Sequence, residues 1–138
     1  MVSIVIDKCY KAITNNEDMV LKGDGSDVRD FIYVKDVVKL TEMLMSIRLT
    51  ESIIISSGVQ SSIKDIVDIV VDKMNFKGKV IWEDWENKKI DNISKKYCDN
   101  TKLKTFFPNF EFTSLKDGVS ETVEWYLNNT EKFEENII

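Results

Sequence analysis

The stretch that decides the fold is "GDGSDVRDFIYVKDVV", from Gly23 to Val38. It sets two glycines in a tight turn, then one arginine, and then a run of aromatic and β-branched residues. The short apolar segment "MVLK" stands directly before it, so the two runs predict a β-hairpin with Arg29 at the entrance of its second strand. A hairpin by itself does not need an arginine there. A phosphate group would, because a guanidinium matches phosphate oxygens two at a time.

Two interpretations of Arg29 therefore stay open on the residues alone. In one, Arg29 is a surface side chain that pairs with a neighbouring carboxylate, either Asp27 or Asp30. In the other, it holds a phosphate, and the backbone around it is fixed in advance, so that little entropy is lost on binding. On the residue types and their spacing alone, the surface pairing is the favoured interpretation.

The composition excludes several kinds of chemistry. A length of 138 residues fits one domain, and a net charge of −5 disfavours general binding to nucleic acid. The sequence contains no histidine, which excludes catalytic pairs and zinc sites that use one. The two cysteines, Cys9 and Cys98, stand far apart, with no signal peptide before them. We therefore expect reduced thiols and a cytoplasmic protein without a metal site.

Hydrophobic periodicity and capping signals predict the remaining elements. The segment "SIIISSG" is continuously apolar, which is typical of a strand covered on both faces in a mostly parallel sheet. Asp36 and Asp99 are each in a position to cap a helix. The predicted elements after the hairpin are, in order, a helix with its apolar positions at Val37, Leu40, Leu44 and Ile47, the strand ending at Gly58, a helix opened by Ser62-x-x-Asp65, the strand "KVIWEDW", a polar loop, a short helix before Pro108 and a helix opened by Ser114-x-x-Asp117.

These elements, with an amphipathic helix over about 2–14 at the start, predict an α/β fold. About five helices share only about four short strands, which is a small sheet for a free-standing doubly wound domain. We therefore expect some apolar surface to lack a partner within this chain. The predicted organisation is one domain over residues 1–130, followed by a flexible tail over residues 131–138.

Three landmarks in order give the chain a family resemblance. "GDGSDVRDFIYVKDVV" resembles the segment Gly-x-Gly-x-x-x-Arg-Asp/Glu-Phe/Tyr-Ile/Val-Tyr/His-Val-x-Asp of the extended short-chain dehydrogenases/reductases, the nucleotide-sugar epimerases, dehydratases and reductases. "IIISSGVQSSIKDIVDIV" is similar to the family's glycine-ended strand and the helix after it. "DNTKLKTFFPNFEFTSLKDGVSETVEWYLNN" is similar to its last landmark, an aromatic-proline turn before a helix ending Trp-Tyr. Together they cover nearly the whole chain.

The resemblance implies the C-terminal, substrate-binding lobe of such an enzyme. The family's NAD or NADP is held by a Gly-x-x-Gly-x-x-Gly loop in a preceding Rossmann domain, and its catalysis uses a Tyr-x-x-x-Lys pair. Neither motif occurs in this sequence. We therefore expect no catalytic or cofactor-binding residue in this chain, and no activity unless a Rossmann half is supplied.

The resemblance also implies the site residues. In the family, the arginine of the first landmark contacts the diphosphate of the nucleotide sugar, and by position this is Arg29. Lys89 and Lys95, in the polar loop before Asp99, are further candidates for diphosphate or sugar contacts, and their surroundings resemble the form found in GDP-fucose-synthase-like members. A solvated lysine loop is the alternative for both lysines, because lysine is a point charge and not a fork.

Three functions remain open on the sequence. The chain is the substrate-binding part of a nucleotide-sugar epimerase, dehydratase or reductase, a non-catalytic module that binds a nucleotide sugar or a protein, or a relic domain. Apolar surface should be exposed where the family's dinucleotide domain would dock, so we expect either a Rossmann-domain partner or self-association through that face. No nucleic acid and no membrane is expected as a partner.

Overall fold

The computed structural model describes residues 1–84 and 94–134, with side-chain surroundings described up to Thr130. Five helices and five short strands alternate in a mixed α/β arrangement, as the sequence predicts. They are α1 (Val2–Asn15), β1 (Met19–Lys22), β2 (Val28–Asp30), α2 (Val34–Met45), β3 (Gln60–Ser62), α3 (Ile63–Lys73), β4 (Val80–Glu83), β5 (Lys95–Lys96), α4 (Thr101–Phe106) and α5 (Leu115–Glu134).

The predicted hairpin is wrong, because β1 and β2 belong to different sheets. β1 pairs in parallel with β4, whereas β2 is the middle strand of a second sheet, antiparallel to β3 and parallel to β5. The backbone N–H of Gly23 donates to the carbonyl of Glu83 at 2.8 Å, which extends the β1–β4 pairing into the turn. The two-glycine turn, with φ of +92° at Gly23 and +74° at Gly25, therefore carries the chain from one sheet to the other.

The predicted strand "SIIISSG" is also wrong. Residues 52–59 form neither helix nor strand, and β3 begins only at Gln60. β-branched residues favour a strand, but a strand also needs a neighbouring strand for its backbone groups. Within the described chain, no strand pairs with this segment.

The core lies between α1, α3, α5 and the β1–β4 pair, and it confirms the predicted helical periodicity. Its buried members include Val5 and Ile6 of α1, Ile66 and Val70 of α3, and Val123 of α5. The predicted capping box at the start of α3 forms as well. The Ser62 hydroxyl accepts a hydrogen bond from the Asp65 N–H at 3.1 Å, and the Asp65 carboxylate accepts one from the Ser62 N–H at 2.7 Å.

The two aspartates predicted as caps differ in outcome. Asp99 accepts a hydrogen bond from the backbone N–H of Thr101, the first residue of α4, and so satisfies a free donor at that helix end. Asp36 does not cap α2, which begins two residues earlier, at Val34. Its buried carboxylate bonds instead to Thr113, in the segment before α5. That last helix runs to Glu134, past residue 130, where we placed the end of the domain.

Candidate functional site

Arg29 lies in the middle of β2 and is already bonded within the chain. Its Nη1 donates to the carbonyl of Val28 at 2.7 Å and to that of Ser94 at 3.2 Å, and its Nη2 donates to Asp27 Oδ2 at 3.2 Å. The side chain keeps 26% of its surface exposed. The pairing with Asp27 that the sequence left open is therefore present, and part of the Arg29 side chain still meets solvent.

The parallel pairing of β2 and β5 decides which lysine stands beside Arg29. Val28 is opposite Lys95, and Arg29 is opposite Lys96. Since neighbours in register share a face of the sheet, Lys96 belongs to the face of Arg29, and Lys95 to the opposite face. Both lysines are exposed. Lys89, the third candidate from the sequence, lies outside the described residues.

These residues border an open depression of about 520 Å³ on the surface. It lies where β5 pairs with β2, and the residues that directly follow β5 form one of its sides. Its lining residues are Arg29, Asp30, Lys95, Lys96, Tyr97 and Cys98. Three of the six carry a positive charge, so this depression brings together the cations that a diphosphate would need.

The one carboxylate in the depression, Asp30, serves the fold. It accepts hydrogen bonds from the Ser57 hydroxyl at 2.6 Å, from the Gly58 N–H at 3.2 Å and from the Cys98 N–H at 3.5 Å. These bonds fix the residues on both sides of β2 to that strand.

Sequence reasoning missed Lys96 and Tyr97 as members of this region. The expected loop over these residues contains β5, a strand of only two lysines, which no hydrophobic pattern could have revealed. Their membership depends on the β2–β5 register, which is a tertiary contact. Tyr97 is exposed and offers a flat apolar ring at the rim.

A second cleft, of about 420 Å³, lies between the starts of α1, α2 and α5. Its lining includes Phe31, Tyr33, Leu115 and Val119. Desolvation raises the pKa of the Tyr33 hydroxyl, and the nearby carboxylate of Glu121 raises it further. The cleft is mostly apolar, and among its described lining residues Tyr33 is the one whose pKa is shifted.

Neither cleft has the features of a dinucleotide or metal site. The glycine turn after β1 leads into a strand, not into the helix N-terminus that cradles a dinucleotide pyrophosphate. In the part of the chain that the structure describes, no group of three or more Cys, Asp or Glu side chains could hold a metal ion. No helix there is long and apolar enough to cross a membrane. The glycine turn therefore lacks the strand–turn–helix arrangement of a dinucleotide-binding loop.

Comparisons with known proteins agree on one enzyme group. The family described as GDP-mannose 4,6 dehydratase matches residues 2–116. GDP-L-fucose synthase of Dictyostelium discoideum is 33% identical over 130 residues, which cover 92% of this chain and 40% of that protein. Putative GDP-L-fucose synthase 2 of Arabidopsis thaliana is 36% identical over 124 residues, covering 87% of this chain and 36% of that protein.

The solved structures give the same result for the fold. A GDP-L-fucose synthetase from Naegleria fowleri, bound to NADP, superposes with a TM-score of 0.83 at 28% identity, over 94% of this chain and 39% of that one. The chain therefore spans about two fifths of the length of the relatives it matches. The small sheet with five helices is a part of a larger Rossmann-type enzyme fold.

Proposed function

This chain belongs to the GDP-mannose 4,6 dehydratase family of nucleotide-sugar epimerases, dehydratases and reductases, and on that premise we propose that it is a nucleotide-sugar-binding lobe. In this proposal, the depression at the β2–β5 edge holds the diphosphate of a nucleotide sugar. Arg29 and Lys96 supply the positive charge from one face of the sheet, and Lys95, on the opposite face, borders the same depression. Lys89 is a further candidate from the adjoining segment, which lies outside the described residues.

The observation that carries the proposal is the register of β2 and β5. It sets Arg29 and Lys96 side by side on one face, at the border of an open depression. A diphosphate carries two adjacent anionic groups, so two neighbouring cations on a rigid sheet match it without large ordering costs. The chain has a net charge of −5, and a local group of three cations is therefore distinctive.

Arg29 can take up a phosphate without losing its anchor to the sheet. Its Nη1 bonds to the carbonyls of Val28 and Ser94 orient the guanidinium, and these bonds do not use the Asp27 carboxylate. The Nη2–Asp27 pair is partly exposed, and pairs of this kind contribute only about 0–1 kcal/mol. A phosphate oxygen would therefore displace Asp27 from Nη2 at low cost.

The lobe by itself binds and does not catalyse in this proposal. Neither the glycine loop for the dinucleotide nor the family's Tyr-x-x-x-Lys pair occurs in the sequence. NAD or NADP, held by a Rossmann lobe, would supply the hydride chemistry. The role of this chain is then to orient the nucleotide sugar toward that lobe. Two distant free thiols, buried Cys9 and exposed Cys98, support a reducing, cytoplasmic location.

A calorimetric titration with GDP and UDP, with and without the attached sugar, tests the proposal. We expect Arg29→Ala to weaken binding of the diphosphate at least about tenfold, since about 1.4 kcal/mol is lost with a charged hydrogen bond. Arg48→Ala is the matched control. Arg48 is the other arginine of the chain, is exposed, and does not line the depression.

The two variants distinguish an effect at the proposed site from an effect of the protein's net charge. Weaker binding in Arg29→Ala, with unchanged binding in Arg48→Ala, supports the proposed site. Equal loss in both variants indicates an effect of net charge alone and removes Arg29 from the site. Nucleosides without phosphates should bind more weakly than their diphosphates.

A further inference from the structure

Strand β5 is too short to fix its own place beside β2. It consists of Lys95 and Lys96 alone, and the register with β2 sets Lys96 opposite Arg29. A strand is held to its neighbour by successive backbone hydrogen bonds, and a strand of two residues supplies few of them. The distance between Arg29 and Lys96 therefore depends on what holds the chain directly after β5.

Asn100 holds the chain after β5 to the segment before β3. It is buried, with 6% of its surface exposed. Its Nδ2 donates to the carbonyl of Ser56 at 3.1 Å and to that of Ser57 at 2.8 Å. An amide can donate two such bonds without carrying a charge, whereas a carboxylate of the same shape would repel both carbonyls. Asn100 therefore anchors the short stretch that follows Lys96.

The Ser57 hydroxyl extends this connection to β2. It donates to Asp30 Oδ1 at 2.6 Å, and Asp30 is the last residue of β2. The other carboxylate oxygen, Asp30 Oδ2, accepts from the backbone N–H of Cys98 at 3.5 Å. Since Cys98 and Asn100 belong to the same short stretch after β5, these bonds close into a ring. This polar ring consists of Asp30, Ser57, Cys98 and Asn100, and it joins that stretch to β2.

Gly58 allows the polar ring to pack closely. Its φ is +71°, in the left-handed region that glycine adopts readily. A Cβ at this position would lie 2.7 Å from Asn100 Nδ2, which is closer than non-bonded atoms of these types approach. Ser57 is buried as well, with 8% of its surface exposed. Because hydrogen bonds in such surroundings are costly to leave unmade, the ring opposes any displacement of the chain after β5.

We propose that Asn100 is a positioning residue for the diphosphate, because through the polar ring it holds Lys96 at the distance from Arg29 that two adjacent phosphate groups require. This inference rests on the proposed function and adds a selectivity to it. Asn100 does not line the depression, so its influence reaches a ligand through Lys96. Arg29 alone can bind one phosphate group, whereas a diphosphate uses both cations at a fixed distance. The polar ring thus sets the preference for a diphosphate over a monophosphate.

Calorimetric titration of the full chain with GDP and with GMP tests this preference. We expect Asn100→Ala to weaken binding of GDP about tenfold, which corresponds to the loss of one hydrogen bond to a charged group. Binding of GMP should change less than about twofold, because Arg29 keeps its own bonds to the carbonyls of Val28 and Ser94. The ratio of the two affinities should therefore fall in the variant.

A double-mutant cycle with Lys96→Ala shows whether Asn100 acts through Lys96. In the Lys96→Ala background, Asn100→Ala should change the affinity for GDP less than about twofold, since the cation that it positions is already absent. Asn129→Ala is the matched control. Asn129 Nδ2 likewise donates to a backbone carbonyl, that of Trp125, but it lies on α5 and does not line the depression. This control should bind both nucleotides as the parent does.

A second variant breaks the polar ring with a smaller change. Ser57→Ala removes the bond to Asp30 and keeps the Ser57 carbonyl to which Asn100 donates. It should lower the preference for GDP over GMP in the same direction, so it decides the question if Asn100→Ala does not fold. Circular dichroism and urea denaturation identify the conditions under which each variant is folded, and the titrations are compared there.

Hydrogen exchange tests the polar ring without any nucleotide. The Val28 N–H donates to the Ser94 carbonyl at 2.7 Å and so reports the pairing of β2 with the start of β5. We expect Asn100→Ala to speed exchange of this amide at least about tenfold. The amides of Ile66 and Val70, in the buried core of α3, should respond less. Equal acceleration at all three amides would indicate a general loss of stability and would overturn the positioning role.

The titrations decide between Asn100 as a positioning residue and Asn100 as a part of the fold alone. A lost preference for GDP in Asn100→Ala that disappears in the Lys96→Ala background supports the proposal. An equal loss for GDP and GMP, an equal effect with and without Lys96, or an equal loss in Asn129→Ala overturns it. A parent chain that binds no GDP overturns the proposed function and the role of Asn100 in binding. Selective exchange at Val28 then still supports the hold of the polar ring on β5.

Discussion

The carboxylate of Asp36 accepts two hydrogen bonds from Thr113, one from the backbone N–H at 2.8 Å and one from the hydroxyl at 2.9 Å. The two residues are 77 positions apart in the sequence. They join the first turn of α2 to the segment that leads into α5. Because the carboxylate is buried, this pair stabilises a contact that the apolar core does not provide.

We expect Asp36→Ala to lower the free energy of unfolding by about 2–4 kcal/mol, because two bonds to a charged group are lost and the Thr113 N–H is left unsatisfied. Asp36→Asn should cost less. Its amide oxygen can still accept from the N–H, and its amide group can donate to the Thr113 hydroxyl. Urea denaturation measures both. Asp68→Ala, at an exposed site on α3, should stay within about 0.5 kcal/mol; a similar loss there would contradict the assignment.

The glycine turn offers a comparison between backbone strain and a steric clash. A Cβ at Gly25 would lie 2.7 Å from Trp82 Cη2, whereas a Cβ at Gly23 would meet nothing within 4 Å. Both residues have positive φ. We expect Gly23→Ala to cost about 1–2 kcal/mol and Gly25→Ala about 2–4 kcal/mol in thermal or urea unfolding.

Replacing the tryptophan isolates the clash. In a Trp82→Leu background, the cost of Gly25→Ala should fall toward that of Gly23→Ala, since the ring atoms near Gly25 are gone. Equal costs in the two backgrounds would show that backbone strain alone accounts for the effect.

Asp27 should compete with a bound diphosphate for Arg29. We expect Asp27→Asn to strengthen binding of GDP several-fold, because Arg29 Nη2 loses its carboxylate partner and a negative charge leaves the vicinity. Asp72→Asn makes the same change in net charge at an exposed position on α3. A gain that appears equally in both variants in calorimetry would be a general charge effect and would contradict the competition.

Acid should weaken the contacts of two exposed glutamates. Hydrogen bonds from Lys102 and Lys35 lower the pKa of Glu51 and of Glu121, respectively, below the ordinary 4.5. A lowered pKa in the folded state gives stability that is complete above the unfolded value and is lost as the pH falls through the folded value. We therefore expect Tm to decline below about pH 4.5 partly through these pairs.

A double variant measures how much the Glu51 and Glu121 ion pairs contribute to the decline of Tm in acid. Glu51→Gln with Glu121→Gln should have a shallower decline of Tm in acid, though a small one, since both pairs are exposed. Glu17→Gln with Glu42→Gln removes the same charges elsewhere and should leave the slope as in the parent. If both double variants have the parent's slope, the two ion pairs do not contribute.

Helical elements were predictable because their signals are local. The apolar positions of α3 and its capping box all lie within 13 residues of one another, and each appears in the structure as expected. The strands depended on distant partners. The residues from Met19 to Asp30 resemble a hairpin in sequence, yet β1 pairs with β4 and β2 pairs with β3 and β5, which all come later in the chain.

Two residues of the candidate site, Arg29 and Lys95, were candidates from the sequence, whereas the register that brings them to one depression was not predictable. Arg29 stands out in the sequence because a strand entrance seldom needs a guanidinium. The family resemblance implies that its ligand is the diphosphate of a nucleotide sugar. The bond from Arg29 to Asp27, one of two carboxylates left open, was settled by side-chain geometry. Lys96 lies beside Arg29 because the two-residue strand β5 pairs with β2, and no local sequence pattern encodes the register of that pairing.

The sequence by itself determined the helices, the α/β class, the family resemblance and the absence of histidine chemistry, because each of these depends on residue type or short-range spacing. The tertiary structure decided which strands pair, which lysine stands beside Arg29, and that no strand among the described residues pairs with Ile53–Ile55. The physical reason is that a strand is completed only by hydrogen bonds to another segment, and the sequence of one strand does not specify which segment arrives.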